Sequence, residues 1–253
     1  MHIITQLSEW QHLRKDLHGK TVGFVPTMGH LHAGHLNLCA RARAENALTV
    51  VSIFVNPTQF NQHNDFAQYP RTIEQDKALL ETQKVDYLFL PDANEMYPDD
   101  YQVQVTENTL SLMLEGIHRP GHFNGMLTVV IKLLHLVQPS RAYFGEKDYQ
   151  QLLLIKKMVG ALFLPVEIVS CETVRAEDGL ALSSRNSRLN AAQRKKAAHF
   201  PALLHSTLQP AQITEQLEAL GFKVDYIVDQ WQRRLGAVWV DEVRLIDNIP
   251  WPN

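Results

Sequence analysis

At 253 residues, with 45% apolar and 20% charged side chains, the chain is long enough to bury one large core and a second, smaller one. A net charge of -3 and a pI near 6.4 speak against a broad basic face for nucleic acid. No apolar run reaches the roughly 18 residues that span a bilayer, and the first twenty residues lack a secretory core. Cys39 and Cys171, the only cysteines, make no disulfide framework and read as reduced thiols of a cytoplasmic protein without membrane or nucleic-acid partners.

Residues 21–26 read as a buried strand ending at Pro26, followed by a glycine-containing stretch and a helix over 36–47. A near-continuous apolar strand follows over 48–55, closed by Asn56-Pro57. Thr72 with Gln75 three residues on has the form of a capping box opening a helix to about residue 84, and 87–90 is a strand stopped by Pro91. Residues 126–137 are apolar almost all round and read as a buried helix. Residues 142–144 form a short strand, 149–159 a helix and 166–169 a further strand, and Glu177-Asp178-Gly179 marks a turn. Strands alternating with helices in this way give an α/β class with a parallel sheet.

Beyond about residue 187 the pattern changes. Asn190 is placed to cap a helix through 191–196, Pro201 and Pro210 interrupt, and 213–220 forms a short helix stopped by Gly221. Two strands are expected, over 223–228 and 237–246. The division this suggests is a large domain over 1–182 and a small one over 183–253.

Four stretches carry chemistry. Residues 26–35, PTMGHLHAGH, lie between a strand and a helix, where glycines let backbone approach an anion and a helix N-terminus offers N–H groups. His32 and His35, three apart, can face the same point and donate to phosphate oxygens. Spacing alone favours a surface or satisfied core pair, and the strand–glycine–helix setting raises the functional reading to parity with it. The lack of a second ligand pair nearby argues against zinc. Residues 144–151, FGEKDYQQ, repeat the pattern: Lys147 suits a phosphate, Asp148 a helix cap or a ribose hydroxyl, and Gln151 would face the same cleft. Ser183, Ser184 and Arg185 combine neutral donors with a guanidinium, a polyanion clamp near the domain junction. Asn56 and Gln59 end a central strand with amides suited to hydroxyl and carboxylate ligands.

PTMGHLHAGH resembles the signature of the pantothenate synthetase family, a variant of the nucleotidylyltransferase histidine motif. SIFVNPTQF, YPRT, RPGHFNGMLTVV, FGEKDYQQL, DGLALSSRN, VDYIVD and VRLIDNIP resemble further segments of that family, in its order. The resemblance covers nearly the whole chain. It implies a Rossmann-like sheet domain with a small C-terminal α+β lid. The implied activity is ATP-dependent condensation of (R)-pantoate with β-alanine through a pantoyl adenylate. It also implies a homodimer.

Carried over by position, the resemblance puts ATP against Met28, Gly29, His32, His35, Gly145, Lys147, Asp148, Val174, Leu182, Ser183, Ser184 and Arg185. His35, His32, Lys147 and Arg185 would be catalytic, Gln59, Gln151 and Asn56 would bind substrate, and Asp76 would contribute to Mg2+. His30 and Ala33 depart from the family pattern, and the C-terminal tail is short for it. Rival readings are another nucleotidylyltransferase and a non-catalytic nucleotide-binding regulator. A class I tRNA synthetase fits less well, because the chain has no anticodon-binding domain.

Overall fold

The apolar runs at 22–25 and 50–54 need cover on both faces, and a parallel sheet sandwiched by helices supplies it. A computed structural model of the chain describes residues 1–60, 66, 67 and 69–252. Strands β1 (His2–Ile4), β2 (Val22–Thr27), β3 (Leu48–Ile53), β4 (Tyr87–Phe89), β5 (Arg141–Gly145) and β6 (Glu167–Cys171) form one parallel sheet in the order β1-β4-β3-β2-β5-β6. The helices with them are α1 (Leu7–Asp16), α2 (Ala33–Glu45), α3 (Ile73–Thr82), α4 (His122–Val137) and α5 (Tyr149–Ala161). This is the Rossmann-like architecture expected. Helix α2 starts three residues before the expected position.

Strand β1 and helix α1 escaped the sequence reading, because three residues of strand and a largely polar helix give weak periodicity. Tertiary contacts decide them. Trp10 is fully buried, stacks within 5.4 Å of Phe89 and donates its indole N–H to the Leu136 carbonyl at 2.8 Å.

The sheet opens where ligands bind in such folds. After β4 the chain crosses back to the far side of β2, so the connections reverse direction between β2 and β5, a topological switch point. Strand β2 pairs with β3 over six residues but with β5 only at Gly23 and Phe24. The cause lies in the sequence. Val22 bonds toward β5, accepting from Ser140 N at 2.9 Å, whereas Thr21 and Thr27 bond toward β3. Pro26 belongs to the Val22 set and has no N–H to offer β5. The two strands are therefore unpaired toward their carboxyl ends.

Clustering of contacts divides the chain into one unit of 1–145 with 150–171 and another of 146–149 with 172 onward. The expected 182/183 boundary falls inside the second unit. Residues 174–182 form a hairpin-like arm with an Arg175–Ala181 bridge, turned at Gly179 (φ +82°). Leu180 of that arm is buried with Phe200, Leu217 and Leu245, in the core of the second unit.

In the second unit β7 (Lys223–Gln230), β8 (Arg233–Val240) and β9 (Val243–Pro250) form an antiparallel meander beside α6 (Ala191–Ala197), α7 (His199–Leu204) and α8 (Pro210–Ala219). The single strand expected over 237–246 is two strands joined by a two-residue turn at 241–242. Another such turn, Trp231-Gln232, precedes β8. Trp231, Gln232 and Asp241 hold positive φ of 55°, 56° and 51°, which hairpin turns require but which asparagine and glycine usually signal. The prolines do not interrupt. Pro210 opens α8 and Pro201 sits in the first turn of α7, where a backbone N–H has no intrahelical partner. Asn190 and Gln193 make the expected cap of α6.

Candidate active site

Strand β2 ends at Thr27, and the next residues bend sharply into α2. Gly29 and His30 both take the left-handed conformation, φ +80° and +51°. A side chain at 29 would also press on Asp76 Oδ2 at 3.0 Å and on Ile53 at 3.1 Å. Asp76, 1% exposed, holds this bend. Its Oδ2 accepts from His30 N at 2.9 Å and its Oδ1 from Leu31 N at 2.8 Å. Thr72 turns its hydroxyl to Asp76 Oδ2 at 3.3 Å and makes no side-chain cap on α3, so the expected capping box is not formed. The carboxylate expected near Mg2+ therefore has both oxygens engaged by backbone. Among the described residues no group of three His, Cys, Asp or Glu is arranged to hold a metal ion.

His32 and His35 cap the start of α2 with each other's backbone. His32 Nδ1 accepts from Gly34 N at 3.2 Å, and His35 Nδ1 accepts from His32 N at 3.3 Å. A backbone N–H can only donate, so each neutral ring carries its proton on Nε2. The rings lie 4.1 Å apart between centroids. The result is a pair of oriented imidazole N–H donors at a helix N-terminus, where the dipole favours an anion. Neither the altered His30 nor Ala33 disturbs it: His30 takes part through its backbone, and Ala33 is exposed.

Beyond β3, Asn56 is 1% exposed and fully engaged. Its amide N–H groups reach Gln59 Oε1 and the Gly125 carbonyl, both at 3.1 Å, and its oxygen accepts from Thr58 and Tyr97 at 3.1 and 2.7 Å. Asn56 was expected to bind substrate, but here it orients Gln59. Gln59 in turn places its amide nitrogen 2.8 Å from the Met28 sulfur, so the two strand-end loops touch. The Gln59 carbonyl accepts from His122 Nδ1 at 2.7 Å, and Arg119 donates to His122 Nε2 at 3.0 Å. Gly125 lets this turn lie on α4, since a Cβ there would meet the Thr58 carbonyl oxygen at 2.3 Å. A cleft of about 180 Å³ opens among Thr58, Tyr97, Tyr101, Asn124 and Thr128, and none of the expected ligand residues lines it. Gln151 is half-buried in the first turn of α5. Its neighbour Gln150 is buried and spent on structure, bonding the 110–115 segment through Leu110 O, Met113 O and Glu115 N.

The second unit carries the other expected residues. Lys147 lies in a single helical turn directly after Gly145, with its ammonium 3.7 Å from the half-exposed Asp148 carboxylate. Val174 and Leu182 bond across the arm, Leu182 N to Val174 O at 2.9 Å. Ser183 caps the turn that follows by accepting from Arg185 N at 3.2 Å. Ser184 and Arg185 are half-buried in that turn, and Asn186 donates back to Ala181 O at 2.9 Å.

A profile described as pantoate-beta-alanine ligase matches residues 2–250. The chain belongs to that family. It is 53% identical over 249 residues to a pantothenate synthetase of Legionella pneumophila, covering 98% of this chain and 99% of that one. A pantothenate synthetase of Coxiella burnetii is 52% identical over the same length, covering 98% and 96%. The fold superposes on a Francisella tularensis pantoate-beta-alanine ligase, solved with beta-gamma ATP and beta-alanine, at TM-score 0.95 and 40% identity, covering 99% and 97%. A Thermus thermophilus pantothenate synthetase gives 0.91 at 44% identity over the whole of both chains. This ligase condenses pantoate with β-alanine at the expense of ATP.

The structure shows holding contacts that the sequence did not announce: Asp76 as the strap of the histidine loop, Tyr97, His122 and Gly125 behind Gln59, and Arg175, Arg233, Asp247 and Asn248 in the second unit. Their partners lie tens of positions away along the chain, so no local pattern announces them.

Proposed function

We propose that the ligase works in two steps through a pantoyl adenylate. A pantoate carboxylate oxygen attacks the α-phosphorus of ATP, the bond to the bridging oxygen breaks, and pyrophosphate leaves. The β-alanine nitrogen then attacks the acyl carbon, AMP departs with the bonding pair, and the amine's protons pass to solvent. The observation that carries this reading is the mutual capping of His32 and His35, which fixes both Nε2–H groups as donors before any substrate arrives. Preorganised donors stabilise charge gathering on phosphate oxygens without reorganising during reaction.

In this reading Met28 to His35 receive the nucleotide in the first unit, while Gln59 and Gln151 hold pantoate. Asn56 acts through Gln59. In the second unit Lys147, Ser183, Ser184 and Arg185 neutralise the triphosphate, and Gly145, Asp148, Val174 and Leu182 approach the nucleotide. Magnesium arrives with the phosphates of ATP, and no ligand role is given to Asp76. Much of the rate comes from positioning, since in-line phosphoryl chemistry needs little covalent help.

The test is incubation with ATP, magnesium and pantoate, with and without β-alanine, following pyrophosphate, AMP and pantothenate. Pantoate-dependent pyrophosphate, with AMP and pantothenate requiring β-alanine, is the expected result. AMP and pyrophosphate appearing only when all three substrates are present, with no trapped adenylate, would replace the two-step scheme with a concerted one.

Two further assignments are proposals of the same kind. Cys39 and Cys171, both buried and joined in no disulfide, suit a reducing cytoplasm. Val103, Leu112 and Ile117 are each about two-thirds exposed within fifteen residues of chain, and exposed apolar side chains of this kind suit burial against a second copy of the same chain in a homodimer. Light scattering at micromolar concentration should give twice the 28.9 kDa chain mass.

A further inference from the structure

Two adjacent residues late in β9, Asp247 and Asn248, are 3% and 2% exposed although both are polar. Buried polar side chains persist when they are fully bonded, and these are bonded to two distant segments. Asn248 donates through its amide nitrogen to the carbonyls of Glu146 and Lys147, both at 2.9 Å. Its amide oxygen accepts from Arg233 at 2.8 Å, and Arg233 also pairs with Glu146 and lies 4.4 Å over the Tyr149 ring. The turn carrying Lys147 is thus held through two of its backbone carbonyls and through the Glu146 side chain. Asp247 accepts a two-pronged contact from Arg175 at 2.6 and 2.9 Å, and Arg175 also reaches the Gly179 and Asn248 carbonyls at 3.0 and 3.2 Å. Arg175 belongs to the arm that runs directly into Ser183–Arg185. Two adjacent strand residues therefore anchor the two segments.

We propose that Asp247 and Asn248 are positioning residues for ATP activation: they fix the spacing between the Lys147 turn and the Ser183–Arg185 clamp. The proposal rests on the assignment of those two segments to the ATP phosphates. Amide donors to two successive carbonyls set the direction of the intervening main chain, and hence of the Lys147 stem. The charged pair at Asp247 sets the arm in the same way. Loss of either leaves the cations present but misplaced, and small misplacements of charge-stabilising groups are costly in rate.

The experiment separates the two chemical steps in single turnover. Enzyme, ATP with magnesium and pantoate are mixed and the pyrophosphate burst is timed; β-alanine is then added and pantothenate formation is timed by rapid quench. Asn248→Asp keeps the shape and the acceptor for Arg233 but cannot donate to the carbonyls, and Asn248→Ala removes both. Each should slow the burst by about 10²-fold, while the β-alanine step, which no longer involves a triphosphate, stays within about threefold of wild type. Asp247→Asn should show the same split. A wild-type burst from folded Asn248→Asp overturns the proposal. So does an equal fall in both steps, or failure of all three variants to fold, because the pair would then serve the fold alone. If the wild-type enzyme itself gives no pantoate-dependent burst, the assignment of the two segments to ATP fails, and that outcome is distinct from any variant effect.

Discussion

The 27–35 loop and the 146–149 turn with its 174–185 arm both present charge-binding side chains, and they are held by different means. In the first, one buried carboxylate accepts two backbone N–H groups and two histidines cap a helix with each other's backbone. In the second, shape comes from charged and amide side chains reaching across long stretches of sequence: Arg175 to Asp247, Arg233 to Glu146, Asn248 to Glu146 and Lys147. Bonds to backbone fix main-chain geometry directly and are little affected by salt. Pairs of long side chains depend on the placement of both partners, and where exposed they contribute little. The first region is built as a fixed loop, the second as a strut-and-cable arrangement whose failure should show as misplacement.

The variants that probe this contrast range widely in expected effect. The largest belongs to the groups proposed to meet phosphate: Lys147→Ala and His35→Ala should each slow pantoate-dependent pyrophosphate release by about 10²–10³-fold. Thermal melting should be nearly unchanged for Lys147→Ala and modestly lowered for His35→Ala, which loses the cap on His32 N, and near-wild-type turnover of either would remove that residue from the mechanism. Asp76→Ala comes next. It leaves the His30 and Leu31 N–H groups without their acceptor, at about 1–3 kcal/mol each, and relaxes the loop. Urea unfolding should register the loss, and excess magnesium should not restore activity. Magnesium rescue would return Asp76 to the metal.

Gly125→Ala is expected to be smaller. The new Cβ collides with the Thr58 carbonyl at 2.3 Å and pushes the Gln59 turn, costing about 1–3 kcal/mol. In kinetics the signature would be a raised KM for pantoate with the KM for ATP unchanged. A charged clamp in the first unit supplies the electrostatic control. Burial pushes the Glu107 carboxyl upward, but Lys157, the Thr109 hydroxyl and the Ser111 and Thr109 N–H groups outweigh it and hold the pKa down at about 2. A depressed carboxylate pKa stabilises the fold above its unfolded value of 4.5 and loses that contribution as pH falls toward 2. Glu107→Gln should therefore cost about 1 kcal/mol at pH 7, discounted because Lys157 is half-exposed. The deficit should be the same at pH 5.5 and shrink by pH 3. The smallest effect is expected from Arg194→Ala, which breaks a half-exposed pair with Asp178 at the arm's turn and should cost less than about 1 kcal/mol. A larger loss would mean that surface pairs contribute more to the arm than the buried Asp247 contact suggests.

Much of the first region is legible in the chain itself. Proline at 26, glycine at 29 and histidines at 32 and 35 state a strand end, a tight bend and a capped helix, because each rule acts over a few residues. The α/β class, the buried helix ending at Val137 and the cap at Asn190 follow from periodicity in the same local way. The family resemblance added the substrates, which no spacing of residues could name. What escaped was decided at long range. The hairpin turn at 231–232 lacks the residues that usually mark positive φ, and the paired strands impose it. Asp76, expected near Mg2+, reaches across 46 residues to accept from His30 N, a contact that no local spacing announces. Asn56 resembled a substrate amide until Tyr97 and Gly125 filled its bonding capacity. Sequence by itself determined which groups are candidates for the chemistry, since motif, composition and period are local properties. Only tertiary structure decided which polar residues hold those groups in place, because a hydrogen bond's partner is chosen by the fold and not by distance along the chain.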